Sequence, residues 1–302
     1  MTTAHITAKI ILDSISPDNH RITTFELEFP RFILAEFNTH RMLSRNTASS
    51  RAIPVDKMHQ LLKTTPAVPV EWGRNQAGMQ ASETLDPETE QYALTTWLEA
   101  RDSAIRYSQL LQEFGVHKQI TNRVTEPFQT VKTVCTATSW ANFWELRDNP
   151  LAQPEFRTLA NTMHQLWLSQ QPKRLSWGEW HLPYVPYAIA GNHDRVYIDE
   201  NTGLSIGLLD AIYISASCCA QVSYRKQDLD IAKARRIYDQ LINSKPAHAS
   251  PVEHQARPIS TEDVSDPYCT GITHQDVSGQ WWSANFCGWI QYRKTIPNNC
   301  TW

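Results

Sequence analysis

The sequence predicts an α+β fold in which long helices pack on an antiparallel sheet. Two segments with strand character come first, on either side of the turn cluster at 16–19. A long stretch with helical spacing of its apolar residues follows at 87–114. The 302 residues include only 10 glycines and neither GxGxxG nor GxxxxGK[ST], which disfavours a doubly wound dinucleotide fold. No repeat or low-complexity linker divides the chain, so one domain over 1–302 is expected.

The individual elements follow from local residue patterns. The segment 22–29 alternates and is rich in β-branched and aromatic residues, which favours a strand; strands are also predicted at 8–12, 128–138 and 196–198. Pro30 could open a helix, and Gly115 is a natural end for the long one. Shorter helices are predicted at 118–125, 140–147, 155–168, 204–217 and 229–242. Loop insertions are expected at about 66–85 and 171–203, and the aromatic C-terminal segment at about 256–302 receives no assignment.

Composition excludes several classes of protein. Lys and Arg number 28 against 31 Asp and Glu, so no basic excess favours a nucleic-acid partner. No apolar run approaches the roughly 20 residues of a membrane span, and the N-terminus lacks signal-peptide features, so a cytoplasmic protein is expected. The six cysteines contain no CxxC, which favours buried thiols over a disulfide framework.

The polar segment Thr39–Arg51 is the first candidate site. Its thirteen residues contain four side chains that can be cationic and five hydroxyls, directly after an apolar stretch. Guanidinium and hydroxyl donors suit a phosphate or pyrophosphate. A solvated surface loop explains the same composition.

This segment resembles the signature of the flavin-dependent thymidylate synthases, R-H-R-x-x-S-x-N-E-x-S-x-R. The matching residues are His40, Arg41, Ser44, Asn46, Ser49 and Arg51. Thr39 stands in place of the first Arg and Thr47 in place of Glu.

Two further segments are similar to stretches of the same family. Residues 115–127, GVHKQITNRVTEP, are similar to a stretch that places Arg123 at a substrate-binding arginine. Residues 139–155 are similar to a stretch that places Asn142 at a flavin contact and Arg147 at a second nucleotide-binding arginine.

A fourth block lies in an unexpected place. In the family, segments similar to 220–224, 241–242 and 248–254 precede the signature, whereas here they follow it by some 170 residues. The resemblance therefore implies a flavin-dependent thymidylate synthase-like fold with a circularly permuted segment order. Permutation is tolerated where chain termini lie close together at the surface.

The resemblance implies a methyltransferase that uses FAD, with NADPH and methylenetetrahydrofolate as co-substrates. Its substrate is a pyrimidine deoxynucleotide, first dUMP converted to dTMP, and family members are homotetramers. The implied catalytic residues are Arg123 and Arg147. Substrate binding is implied for these two and for Glu36, Ser49, Ser50 and Arg51. Cofactor binding is implied for His40, Arg41, Asn46, Asn142, Ser223, His248 and Ser250. No metal ligand and no catalytic cysteine are expected.

Several alternatives stay open. Glu36 stands where the family has Gln, and a carboxylate that only accepts could favour an amino-bearing ring, as in dCMP. Hydroxymethyl transfer, or a nucleotide- or nucleic-acid-binding protein that has lost flavin, are further candidates. The GxSxG at 203–207 would suit a hydrolase, and the spacing of His248, Glu253 and His254 has some likeness to a metal site. Both are weaker than the family resemblance.

Overall fold

A computed structural model describes residues 4–191, 195–222, 229–266, 268–297 and 299. The strands are β1 Thr7–Ile15, β2 Arg21–Pro30, β3 Ser44–Thr47, β4 Thr130–Ala137, β5 Lys173–Arg174, β6 Tyr187–Ile189, β7 Arg195–Ile198, β8 Ser205–Ile206, β9 Ala256–Pro258, β10 His274–Gln275, β11 Trp281–Ser283, β12 Phe286–Cys287 and β13 Trp289–Gln291. The helices are α1 Leu34–Phe37, α2 Val55–Thr64, α3 Pro87–Glu113, α4 Lys118–Thr121, α5 Ala141–Arg147, α6 Pro154–Ser169, α7 Leu208–Ala220, α8 Ile231–Ile242 and α9 Thr261–Ser265. Among the described helices, none combines the length and apolarity of a bilayer crossing.

The largest sheet has the strand order β3-β4-β2-β1-β5. Its first four strands are antiparallel, and β5 pairs in parallel with β1. The alternation of β2 buries Phe25, Leu27 and Phe29 on one face, where α5 and α6 cover them. Helix α6 supplies residues one and two turns apart, such as Phe156 and Met163, to the same core. The predicted antiparallel sheet with helices packed on it is confirmed.

The long helix α3 begins and ends as its sequence predicts. The Asp86 side chain accepts a hydrogen bond from the Thr89 N–H at 3.0 Å, and Pro87 occupies the first turn. Gly115 ends it with φ of +78°, a conformation that costs glycine little.

The second half of the chain covers the polar face of this sheet. A chain of hydrogen bonds crosses the junction from Ser14 through His181, Thr24 and Thr136 to His254, with distances of 2.7–2.9 Å. All five residues are fully buried. This buried chain therefore ties residues from both halves into one core.

Three local expectations need correction. The predicted helix at 204–217 begins only at Leu208, and Ser205 is an exposed residue of the short strand β8. It therefore does not lie at the sharp strand-to-helix turn of a hydrolase nucleophile. The signature segment contains the strand β3, and α2 follows it, neither of which was predicted.

The aromatic C-terminal segment forms small strands rather than an exposed stacking surface. Phe286 and Trp289 are fully buried against Ile22 and Leu175. The Trp289 indole N–H donates to the His20 carbonyl at 3.1 Å. These two aromatics serve as core, as aromatic clusters more often do.

Candidate active site

The Arg147 cluster consists of Glu36, His40 and Arg147. Arg147 lies in the last turn of α5, and its Nε donates to His40 Nε2 at 2.8 Å. Its Nη1 forms an ion pair with Glu36 Oε1. The guanidinium carbon lies 4.7 Å from the centre of the Phe156 ring, which supports its plane. These contacts hold the guanidinium in one orientation, with only 18 % of the side chain exposed.

His40 is held neutral in this cluster. Burial lowers its pKa to about 4, with a further contribution from the charges of Arg147 and Arg45. Its Nε2 accepts the Arg147 hydrogen bond, so the ring proton lies on Nδ1. His40 thus orients Arg147 as an uncharged acceptor, and its ring packs edge-on against Phe143 and Phe156.

The Arg123 cluster consists of Arg31, Ser50, Arg123 and Glu126. Glu126 Oε1 accepts from Arg123 at 2.8 Å and from Ser50 Oγ at 3.2 Å, and Arg31 lies 3.2 Å away. Arg51 is exposed on the same short turn as Ser50, and Ser49 precedes that turn. One carboxylate thus faces more than one guanidinium, which leaves a net positive site. Among the residues predicted to bind substrate, Ser50 therefore shares the Glu126 carboxylate with Arg123.

A cavity of about 710 Å³ lies beside the Arg147 cluster. Glu36 of the Arg147 cluster lines it at one side, and Pro127, the neighbour of Glu126, lines it at another. Phe32 and Trp97 form an aromatic wall, with ring centres 6.4 Å apart. The volume lies within the ordinary range of small-molecule pockets.

The residues predicted for the cofactor divide into two groups. Arg41, Asn142, His248 and Ser250 are exposed. Arg41 shortly precedes β3 and Asn142 shortly follows β4, and Ser44 at the start of β3 pairs with Thr136 near the end of β4. The turn Ser250–Glu253 packs against β3, so these donors lie around one end of the sheet. Exposed guanidinium, amide and hydroxyl donors fit the chemistry of a flavin dinucleotide's pyrophosphate.

The other predicted cofactor residues make internal contacts or lie outside the described ranges. Asn46 Nδ2 donates to the Cys219 carbonyl at 3.0 Å, and His40 belongs to the Arg147 cluster. Ser223 falls among residues 223–228, outside the described part of the chain. The individual site assignments therefore stay predictions.

Some residues of these clusters were not predicted. Glu126 lies within the family-like segment 115–127 but matches none of the positions that the resemblance assigns, and Arg31 pairs with it from a distant part of the sequence. The wall residues Phe32 and Trp97 follow ordinary helical spacing, which is typical of core positions. The only signal is that Arg31 directly precedes an apolar helical stretch that leads into the signature.

Comparisons with known proteins place the chain in a family. The profile described as thymidylate synthase complementing protein matches residues 5–173, which include the signature, Arg123 and Arg147. The match ends before 220–254, so the permuted segment order stays a prediction. No curated protein sequence matches significantly.

Solved structures that match part of this chain include a UMP/dUMP methylase, PolB from Streptomyces cacaoi. Its complex with 5-Br UMP gives a TM-score of 0.46 at 18 % identity, covering 54 % of this chain and 89 % of that one. Its complex with 5-Br dUMP gives 0.45 at 19 % identity, covering 54 % and 90 %. The profile match extends over more than half of the 302 residues. The chain therefore belongs to the thymidylate synthase complementing protein family, the flavin-dependent thymidylate synthases.

Proposed function

We propose that this protein transfers a one-carbon unit from methylenetetrahydrofolate to C5 of a pyrimidine deoxynucleotide, with FAD and NADPH providing the reduction. Family membership supports methylation at C5 of a pyrimidine nucleotide, with dUMP to dTMP as the family's reaction and dCMP as a second candidate substrate. The observation that carries the proposal is that Glu36, His40 and Phe156 fix the Arg147 guanidinium beside a cavity of ligand size, which Glu36 lines.

Arg147 is the proposed catalytic residue at the base. C5 becomes nucleophilic when negative charge that develops on the ring is stabilised, and a guanidinium does this while always charged. Glu36, His40 and Phe156 fix the guanidinium before substrate arrives. A donor that is already oriented does not have to reorganise during the reaction.

The Arg123 cluster is proposed to hold the 5′-phosphate. Arg123 is 52 % exposed, and Arg51 is exposed on the turn that carries Ser50. Ser49 and Ser50 add hydroxyl groups next to these cations. We therefore place Arg123 at the phosphate; the resemblance also implies a catalytic role for it at the ring.

Arg41, Asn142, His248 and Ser250 are proposed to hold FAD, which supplies the hydride that completes the methyl group when bound. Their donors would hold the pyrophosphate of the cofactor. A homo-oligomer, a tetramer by likeness to the family, belongs to the same proposal. Light scattering after size-exclusion chromatography measures that state.

Product analysis tests the proposed reaction. The protein is incubated with FAD, NADPH, methylenetetrahydrofolate and either dUMP or dCMP, and the nucleotide is identified by mass spectrometry. A C5-methylated product from either nucleotide supports the proposal. Absence of product from both, in a preparation that binds flavin, contradicts it.

A variant pair assigns the reaction to the site. Arg147→Ala should lower kcat/KM by about 100-fold or more, as loss of a fixed electrostatic donor does. The control Arg235→Ala removes an arginine that is 57 % exposed on α8 and should leave turnover unchanged. A colourless preparation that binds nucleotide but turns over neither substrate would favour the non-catalytic alternative.

A further inference from the structure

The charged groups that line the cavity beside the Arg147 cluster are mainly hydrogen-bond acceptors, set in an otherwise largely apolar wall. Its charged lining consists of four carboxyl groups and one guanidinium: Glu36, Glu71, Glu83, Glu155 and Arg157. The loop between α2 and α3 supplies Glu71 and Glu83, and α6 supplies Glu155 and Arg157. A phosphate would be repelled here, whereas the Arg123 cluster, with two guanidinium groups to one carboxylate, attracts it.

Arginines balance part of this negative charge, one from the cavity lining and two from outside it. Glu71 pairs with Arg157, Glu83 with Arg74, and Glu36 with Arg147. Glu155 is different because it is only 3 % exposed and accepts from neutral donors, the Val70 N–H at 2.8 Å and Gln153 Nε2 at 3.0 Å. A ligand in the cavity therefore meets more acceptors than donors.

We infer that the base bound here carries an exocyclic amino group, as cytosine does, and that the enzyme prefers dCMP to dUMP. The inference rests on the proposed function, since it assumes a nucleotide with its phosphate on the Arg123 cluster. Uracil presents two carbonyl oxygens on either side of one N–H, so one oxygen would face a carboxylate. Cytosine replaces one of these oxygens with an amino group that donates to Glu36, while its ring acceptors remain available to Arg147.

The aromatic wall agrees with a planar ring as occupant. Phe32 and Trp97 both line the cavity, with their rings nearly perpendicular to each other. The Trp97 indole N–H already donates to the Ala67 carbonyl at 2.9 Å. Trp97 therefore contributes apolar surface to the ligand. Base selection falls to the carboxyl groups, and Glu36 is the specificity-determining residue because it also contacts Arg147.

Calorimetric titration of dCMP and dUMP tests the inference on the wild-type chain. We expect dCMP to bind at least about tenfold more tightly, because a site that accepts a hydrogen bond rejects a ring that cannot donate one. Equal affinity, or tighter binding of dUMP, overturns the inference without any variant being made. Failure of both nucleotides to bind overturns it together with the proposed function.

Two variants assign the preference to Glu36. In Glu36→Gln the amide can donate to a carbonyl, so the ratio of affinities should move toward dUMP by about tenfold. The control Glu145→Gln changes an exposed glutamate of α5 and should keep the wild-type ratio. A Glu36→Gln ratio equal to that of the control overturns the assignment, provided that both variants show native circular dichroism.

Turnover separates this inference from the reaction itself. If the enzyme methylates dUMP and does not accept dCMP, the preference is refuted and the proposed reaction stands. Selective dCMP binding with no methylated product would refute the reaction and support the preference.

Discussion

The buried hydrogen-bond chain between the two halves of the protein gives the sharpest stability prediction. Thr136 Oγ1 lies at its centre, 2.7 Å from Thr24 Oγ1 and 2.9 Å from His254 Nδ1. His254 Nε2 is buried with no hydrogen-bond partner among the described residues. The Thr136 hydroxyl is therefore the ring's described side-chain partner.

Thr136→Val keeps the shape of the side chain and removes this hydroxyl. His254 would then have neither ring nitrogen bonded, whereas Thr24 would keep its 2.9 Å contact with His181. The buried His254 ring would then lack any hydrogen bond, and the Thr24 hydroxyl would keep only one. Together these losses should lower the free energy of unfolding by about 2–4 kcal/mol. Val and Thr have nearly the same volume, so the loss would reflect the missing hydroxyl rather than a change in packing.

Urea denaturation followed by circular dichroism and tryptophan fluorescence measures this change. The control Thr95→Val alters an exposed threonine of α3 and should stay within about 0.5 kcal/mol of wild type. A Thr136→Val loss below about 1 kcal/mol would show that the chain of hydrogen bonds does not stabilise the junction.

Three other expectations concern the same core and the candidate site. Burial lowers the pKa of His254 to about 3, so the neutral ring contributes fully to stability above the unfolded pKa near 6.5, and this contribution is lost as the pH falls toward 3. Thermal melts between pH 8 and 4 should show this decline in stability, and His254→Gln should make the decline shallower. Phe156→Ala should lower the free energy of unfolding by about 3–5 kcal/mol, because the ring is fully buried beside Phe37; a smaller loss in urea denaturation would contradict its core role. Arg31→Ala should weaken the binding of dUMP and dCMP by about tenfold and leave the binding of the corresponding nucleosides unchanged, because Arg31 belongs to the Arg123 cluster that is proposed to hold the phosphate. An equal loss of nucleoside affinity in calorimetry would contradict the assignment.

Local sequence patterns predicted most of the regular elements. The alternation in β2, the apolar spacing in α3 and the cap at Asp86 are all properties of neighbouring residues, and the structure reproduces them. Strand β3 was missed because an edge strand of four polar residues has no alternation to detect. Helix α2 contains a helical pattern, with Val55, Met58 and Leu62 buried on one side, but it is only ten residues long and follows a polar segment directly.

The candidate site was only partly predictable for a different reason. The signature identified Arg51 and the residues around it because their spacing is fixed within one segment. The pair formed by Glu36 and Arg147 joins residues 111 positions apart, and Arg31 reaches Glu126 across most of a hundred residues. No window of sequence contains such pairs, so family resemblance could suggest the members but not the partners.

The same long-range contacts explain why the carboxyl group of Glu36 bears on specificity. A glutamate on a free surface would relax to suit either base, at little cost. Here its Oε1 is held by a guanidinium that is itself fixed by His40 and Phe156, and its own side chain is 35 % exposed. A group held in this way cannot turn away from a mismatched carbonyl without breaking the Arg147 cluster. The base discrimination that we infer for Glu36 and the orientation of Arg147 therefore depend on one network, and a substitution that changes either one should change both.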